Sequence, residues 1–188
     1  MLNSNIQQIP TELQALKQWV CWREETRPGS NKATKVPYQA LHPHVRASST
    51  NPVHWSDLSS TLLSAGLNNM SGIGFVFSEE DDFVGIDVDK GERVAEVLSM
   101  FDSYAEESVS GRGIHIIVKG RLTRGFNNMT QGVECYSKGR YFVFTGKQLE
   151  GVPDDVREQQ EALDTFVAKY ATGGHTPQTE GLPEGNYD

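Results

Sequence analysis

The stretch Phe83-Val84-Gly85-Ile86-Asp87-Val88-Asp89 constrains this chain more than any other. Phe83 to Val88 has the β-branched and aromatic content of a buried strand. Two carboxylates then stand at its C-terminal end. Side chains alternate across a strand, so Asp87 and Asp89 share one face, roughly 6–7 Å apart, and Val88 points to the other. Two anions on one face repel each other. A hard divalent ion such as Mg²⁺ or Mn²⁺, which prefers carboxylate oxygen, relieves that repulsion. The spacing predicts a metal site at the end of a central strand. The plainer alternative is a strand that runs out into an acidic turn at Asp89-Lys90-Gly91.

A chain of 188 residues is long enough for one domain of ample core, or for two small lobes sharing a cleft. No apolar run reaches the length of a membrane span, and Met1 to Gln8 carries no signal-peptide pattern. Cys21 and Cys135 sit in apolar, strand-like stretches and are expected to be buried thiols, and no zinc spacing is present. These features predict a cytoplasmic protein with no membrane partner. The net charge of −8 argues against a protein that coats nucleic acid uniformly. The charge is uneven, however. Between Arg112 and Lys147 there are seven basic residues and one acid, Glu134. Such a segment beside an acidic strand suits a phosphate-bearing substrate. It also suits solvated strand edges, where Lys and Arg deter edge pairing.

Along the chain, Thr11 opens a short helix carrying Leu13 and Leu16, and Trp19 to Arg23 reads as a strand. Glu24 to Ala33 reads as a loop, and Lys35-Val36-Pro37-Tyr38 as an extended segment. His42, His44 and His54 lie in a region of little periodicity and are expected to be loop histidines. Ser56 is the expected N-cap of a helix running to about Ala65 and ended by Gly66. Gly72 to Phe77 is a strand close enough to the Asp87 strand to form a hairpin with it through Ser78 to Asp82. Helices are expected over Glu92 to about Tyr104 and over Pro153 to Tyr170. Ile114 to Lys119, Gly132 to Tyr136 and Arg140 to Gly146 are strands, the last closing the core. Residues 172–188 read as a linker.

Two further stretches carry chemistry. Ser110-Gly111-Arg112-Gly113 exposes backbone N–H groups and a guanidinium, which suits phosphate oxygens. His115 follows on the strand, sharing a face with Ile117 and Lys119. The alternative is a tight turn followed by a core histidine bonded to backbone. Glu134 is a lone acid in an apolar strand, costly unless paired or metal-bound. Three carboxylates for divalent ions, with a Ser, an Arg and a His for a triphosphate, are what nucleotidyl transfer requires.

In this order the motifs resemble those of the archaeo-eukaryotic primase superfamily, specifically the phage- and plasmid-type primase-polymerase domains, over roughly residues 12 to 150. Val84-Gly85-Ile86-Asp87-Val88-Asp89 resembles the first motif, Ser110-Gly111-Arg112-Gly113-Ile114-His115 the second and Val133-Glu134 the third. Arg140 to Gly146 is similar to the strand that follows. Trp19 to Trp22, Lys35 to Tyr38 and Ser49 to Trp55 are similar to the front of phage-type members.

The resemblance implies an α+β fold of two lobes. An N-terminal α/β lobe would cover about 1–71. An antiparallel sheet lobe like an RNA-recognition motif would cover about 72–171 and carry the motifs. Residues 172–188 would lead to a helicase, in cis or in trans. Asp87, Asp89 and Glu134 would hold Mg²⁺ or Mn²⁺. Ser110, Gly111, Arg112, Gly113 and His115 would hold the incoming NTP or dNTP, joined by Arg140, and Lys35 would meet template. The implied activity is template-directed DNA primase and polymerase, on a single-stranded DNA template. Two rival readings remain: a non-catalytic single-strand-binding module of a helicase, and a metal-dependent nuclease using the same acids.

Overall fold

The computed structural model describes residues 8–26, 29 and 33–171. Phe83–Val88 is a strand, β4, and it lies at the centre of a five-stranded sheet. In chain order the elements are α1 (Thr11–Gln14), β1 (Trp19–Thr26), β2 (Ala33–Tyr38), α2 (Leu58–Leu67), β3 (Gly72–Phe77), β4, α3 (Gly91–Leu98), β5 (Ala105–Glu107), β6 (Ile114–Lys119), β7 (Phe126–Asn128), β8 (Val133–Tyr136), β9 (Arg140–Phe144) and α4 (Gln160–Tyr170). They form two antiparallel sheets, ordered β2-β1-β3-β9 and β5-β6-β4-β8-β7. The mixed α+β class agrees with the sequence.

Alternation decides what lies on each side of the second sheet. Val84, Ile86 and Val88 of β4, with Ile114, Ile116 and Val118 of β6, face a core closed by Val97 of α3 and by Leu163 and Phe166 of α4. The opposite face turns toward the first sheet, where Ile117 and Tyr136 share a core with Phe75, Phe77, Phe142 and Phe144. The layers meet at Gly85. A Cβ built there would stand 2.3 Å from Phe77 Cζ and 2.6 Å from Phe142 Cε2. Phe77 and Phe142 are themselves edge-to-face, with centroids 5.0 Å apart.

Several expectations differ from what is found. β3 and β4 form no hairpin. β3 lies between β1 and β9, and β4 between β6 and β8, so each already has both edges paired. The link between them crosses from one sheet to the other. It is anchored by Asp81, whose carboxylate accepts from Phe83 N–H (2.9 Å) and from the Gln18 amide (2.7 Å). β9 likewise joins β3 in the first sheet instead of closing the motif-bearing one. The two sheets are thus not separated along the chain at residue 72.

The helix expected to run to Tyr104 stops at Leu98. Ser103 Oγ donates to Ile117 O (2.6 Å), and Ile117 N–H donates to Tyr104 O (3.0 Å), which draws the next residues onto the edge of β6 as β5. The last helix begins at Gln160, not Pro153. Residues 157–159 are instead bridged to the end of β6, with Lys119 N–H on Arg157 O and Gln159 N–H on Lys119 O, both 2.9 Å. β1 continues through Glu24 and Glu25 to Thr26. The cap of α2 is Asp57, whose carboxylate accepts from Ser60 N–H (2.8 Å), and the helix runs through Gly66 to Leu67. Cys21 and Cys135 are buried free thiols, as expected. The predicted linker over 172–188 lies outside the described residues.

The close approach at Gly85 yields a stability prediction. Gly85→Ala is expected to lower the urea midpoint by about 1–3 kcal/mol equivalent, because two packed rings must shift to admit one methyl group. An unchanged midpoint would contradict this contact.

Candidate metal and phosphate site

The site follows from strand register. Asp87 of β4 sits directly opposite His115 of β6 and directly opposite Glu134 of β8. The three side chains make a row across adjacent strands on the face turned to the first sheet. Two residues back along β4, that face is sealed by Phe77 and Phe142 at Gly85. The row therefore stands where the interlayer core ends. Asp89 lies one step past the strand, exposed, with its N–H donating to Gly132 O (2.9 Å).

Asp87 leaves 23% of its side chain exposed, yet its Oδ1 is buried and accepts no hydrogen bond. His115 Nε2 stands 3.9 Å from it, beyond hydrogen-bond reach. Burial pushes the Asp87 carboxyl above the usual range, and Asp89 adds to this, while the charges of His115 and Lys35 oppose it. Glu134 is raised as well, first by burial and then by Asp87. One of its oxygens accepts from the Asn127 amide (2.8 Å). Two raised, adjacent carboxyls, one with an orphaned buried oxygen, are the donor set that a divalent cation satisfies. Among the described residues, no three His, Cys, Asp or Glu side chains are already drawn together to ligate one ion. His42 and His44 are exposed loop residues, and His54 Nδ1 accepts from Ser48 N–H (3.0 Å).

The glycine loop adjoins the carboxylates. Gly113 presses against β4 so closely that a Cβ would meet Val88 O at 2.2 Å and Asp89 Cα at 3.2 Å. Gly111 adopts φ +68°, the left-handed region that favours glycine. Ser110 Oγ accepts from Arg112 N–H (3.3 Å), and Ser108 Oγ from Gly113 N–H (3.3 Å). Ser110, Gly111 and Arg112 are exposed at the mouth beside Asp89. Arg112 pairs with no carboxylate among the described residues.

Lys35, on β2 of the first sheet, is exposed, and its charge reaches both Asp87 and His115. It faces the row from across the cleft. Arg140 opens β9 and lies with its guanidinium carbon 5.1 Å from the Tyr136 ring centre, within electrostatic reach of Glu134. Register thus brings Asp87, His115 and Glu134 into one row, Gly113 lies against the Val88–Asp89 end of β4, and Lys35 and Arg140 reach the row through their charges.

One residue escaped sequence reading. His115 is buried, but its partner is a carboxylate, not backbone: Nδ1 lies 3.2 Å from Glu106 Oε1. Glu106 is wholly buried on β5. Its Oε1 also accepts from Thr145 N–H (3.0 Å), and its Oε2 from Gly146 N–H (2.9 Å) and Tyr104 O–H (3.0 Å). Held this way, His115 turns Nε2 to the cleft while its ring rests near Phe142, centroids 5.4 Å apart. Burial alone would lower the imidazole. The bond to Glu106 and the Asp87 charge bring it above its ordinary value. The one signal available was indirect: a histidine on an apolar strand face needs a buried partner.

No protein-family model matches the chain. A DNA primase-polymerase of Nitratiruptor phage NrS-1 is 33% identical to it over 195 residues, an alignment covering 95% of this chain and 25% of the phage protein. The chain spans about a quarter of that relative's length.

Two predictions follow from this geometry. With both carboxyls raised, the folded cation-free protein holds protons that the unfolded chain gives up. Its stability therefore falls as pH rises out of the ordinary carboxylate range. Asp87→Asn should blunt that fall. Added Mn²⁺ should raise the melting temperature of the unsubstituted protein at neutral pH, by about 2.7 kcal/mol equivalent at a hundredfold excess over its dissociation constant. The variant should show no such rise, and an equal rise in both would exclude Asp87 as a ligand. Separately, Glu106→Gln sets a donor against donors and is expected to cost about 3 kcal/mol. Tyr104→Phe, which removes one donor, should cost only about 1 kcal/mol. Urea titrations of both variants check the order.

Proposed function

Over nearly all of its length this chain is kin to a phage DNA primase-polymerase, and its domain is of that phage type; on that premise we propose that it catalyses template-directed nucleotidyl transfer. In this reaction the 3′-hydroxyl of one nucleotide attacks the α-phosphorus of an incoming NTP or dNTP. The new P–O bond forms, the bond to the β-phosphate oxygen breaks, pyrophosphate leaves, and the hydroxyl proton is lost. The observation that carries the reading is the row His115–Asp87–Glu134, in which Asp87 Oδ1 is buried without a partner.

Asp87, Asp89 and Glu134 would hold Mg²⁺ or Mn²⁺, which when bound lowers the pKa of the attacking hydroxyl and neutralises charge on the departing pyrophosphate. The chain's own residues supply position. The loop Ser110 to Gly113 offers backbone N–H groups and the Arg112 guanidinium to phosphate oxygens. His115, braced by Glu106, presents Nε2 to the same place. Lys35 adds positive charge from the facing sheet, where it can meet phosphate or template. Fixing these groups on strands keeps the reacting atoms in line, which for phosphoryl transfer is most of the catalysis. Single-stranded DNA as template, a helicase in cis or in trans, and a cytoplasmic setting belong to the same proposal. No helix among the described residues is long and apolar enough to cross a membrane.

A primer-free synthesis assay tests the reading, using single-stranded template, labelled nucleotides and Mg²⁺ or Mn²⁺. Short products that vanish in the double variant Asp87→Ala, Asp89→Ala are expected. Products seen only when a primer is supplied would restrict the activity to polymerisation. Template cleavage without added nucleotide would mark a nuclease instead.

A further inference from the structure

The second sheet carries a polar side chain on every strand at one level. Glu106 of β5 lies directly opposite His115 of β6, and Asn127 of β7 directly opposite Glu134 of β8. With Asp87 between His115 and Glu134, register draws the row Glu106–His115–Asp87–Glu134–Asn127 across all five strands. The two ends are alike. Glu106 bonds His115 Nδ1 (3.2 Å), and the Asn127 amide donates to Glu134 Oε1 (2.8 Å). Each outer strand holds the side chain next to it, while Asp87 Oδ1, at the centre, accepts no hydrogen bond.

β7 gives this face of the sheet a single side chain. Phe126 and Asn128 turn to the opposite face, where Phe126 packs on Phe166 (centroids 5.8 Å) and the Asn128 amide donates to Tyr170 O (2.9 Å). Just before the strand, Gly125 brings the chain so near β8 that a Cβ would stand 2.7 Å from Tyr136 Cδ1 and 3.0 Å from Cys135 O. Asn127 is thus pinned along the chain on both sides, and its amide has little freedom to leave Glu134.

Stability alone would favour a cation at this position. Elsewhere acids are met by cations: Glu12 by Lys119, and Glu96 by Arg93 and Lys169. Among the described residues Glu134 forms no ion pair, although burial and then the Asp87 charge raise its carboxyl. A neutral amide orients a carboxylate without cancelling its charge, whereas an ammonium would compete with a metal ion for it. Partners of this kind fix the direction of ligating groups and are worth roughly 10–100-fold in metal affinity. Fixing a ligand also matters unequally to different ions. Mg²⁺, and Mn²⁺ in the same octahedral role, tolerate little displacement of an oxygen ligand, while Ca²⁺ accepts more oxygens in a flexible arrangement.

We propose that Asn127 is a positioning residue for the cation: its amide holds Oε1 of Glu134 and so fixes the carboxylate for a small octahedral ion, favouring Mg²⁺ and Mn²⁺ over Ca²⁺. The proposal rests on the reading of Glu134 as a ligand of that ion.

The test is the Mn²⁺ affinity of the 188-residue chain. It is followed at neutral pH by the electron paramagnetic resonance signal of free Mn²⁺ and repeated with competing Ca²⁺. Asn127→Ala should weaken Mn²⁺ binding about tenfold and Ca²⁺ binding by much less, so that the preference for Mn²⁺ narrows. Asn127→Leu, which keeps the volume without the amide, should do the same. In a Glu134→Ala background, Asn127→Ala should change neither affinity, because the group it acts through is gone. Equal losses for both ions, the pattern of a disturbed fold, would overturn the proposal, as would a further loss in the Glu134→Ala background. No nucleotide is turned over in this measurement. A chain that binds no Mn²⁺ would overturn the metal reading and this proposal together. Equally tight binding by the unsubstituted chain and by Asn127→Ala would overturn this proposal alone.

Discussion

A single buried carboxylate, that of Glu106, sits where the two sheets, the imidazole and the mouth of the cleft converge. Taking an anion wholly out of water is costly unless every lone pair is answered. Here four donors answer it: two backbone N–H groups just past β9, the Tyr104 hydroxyl and the His115 ring. β9 belongs to the first sheet and β5 to the second. The network therefore clamps one layer to the other at the same point at which it orients the residue facing Asp87. Charge-assisted bonds to rigid backbone lose little entropy and resist reorientation. Rigidity of the cleft and aim of the histidine are thus one physical fact.

The cleft itself comes from a two-residue step. Gly85 and Asp87 share one face of β4. At Gly85 the facing rings approach so closely that no side chain fits; at Asp87 the layers have parted enough to admit a carboxylate and leave 23% of it exposed. The same alternation places Tyr136 and Glu134 on β8, the tyrosine buried and the glutamate near the opening. A sheet that is core for most of its length becomes an anionic rim in one period of the pleat. That rim opposes stability in the absence of a counter-ion, since burial and mutual repulsion raise both Asp87 and Glu134. Such a local conflict between folding and charge is characteristic of a site kept for chemistry.

Much of this was legible in the sequence because period-two alternation is a local property. Asp87 against Val88, His115 against Ile114 and Glu134 against Cys135 each declared their faces, and the register then aligned all three. What was not legible was decided at long range. β3 and β4 look like a hairpin until one knows that β1, β6, β8 and β9 already hold their edges. Residues 99–104 continue a helical pattern on paper, but hydrogen bonds of Ser103 and Tyr104 with Ile117 draw the chain to the edge of β6 instead. Residues 153–159 lose their helix to bonds with Lys119. Glu106 was invisible for the same reason. Its neighbours Thr145 and Gly146 are nearly forty positions away, and no spacing rule connects them.

The distribution of charge bears on how an acidic chain could meet the anionic ligands proposed for it. Ion pairs occupy most of the cations away from the cleft: Arg46 with Glu25, Arg93 and Lys169 with Glu96, Lys119 with Glu12, and Arg157 with Asp102 and Asp155. Among the described residues Lys35, Arg112 and Arg140, near the row of carboxylates, form no ion pair, and neither do Lys17, Arg23, Lys90, Arg121 and Arg124. Paired charges cancel within a few ångströms, whereas unpaired ones project a field that salt screens over about 8–10 Å. A phosphate chain approaching the protein would meet net repulsion from afar and local attraction beside such unpaired cations. A net negative chain and local binding of an anion are therefore compatible, because one depends on total charge and the other on which cations are left without a partner.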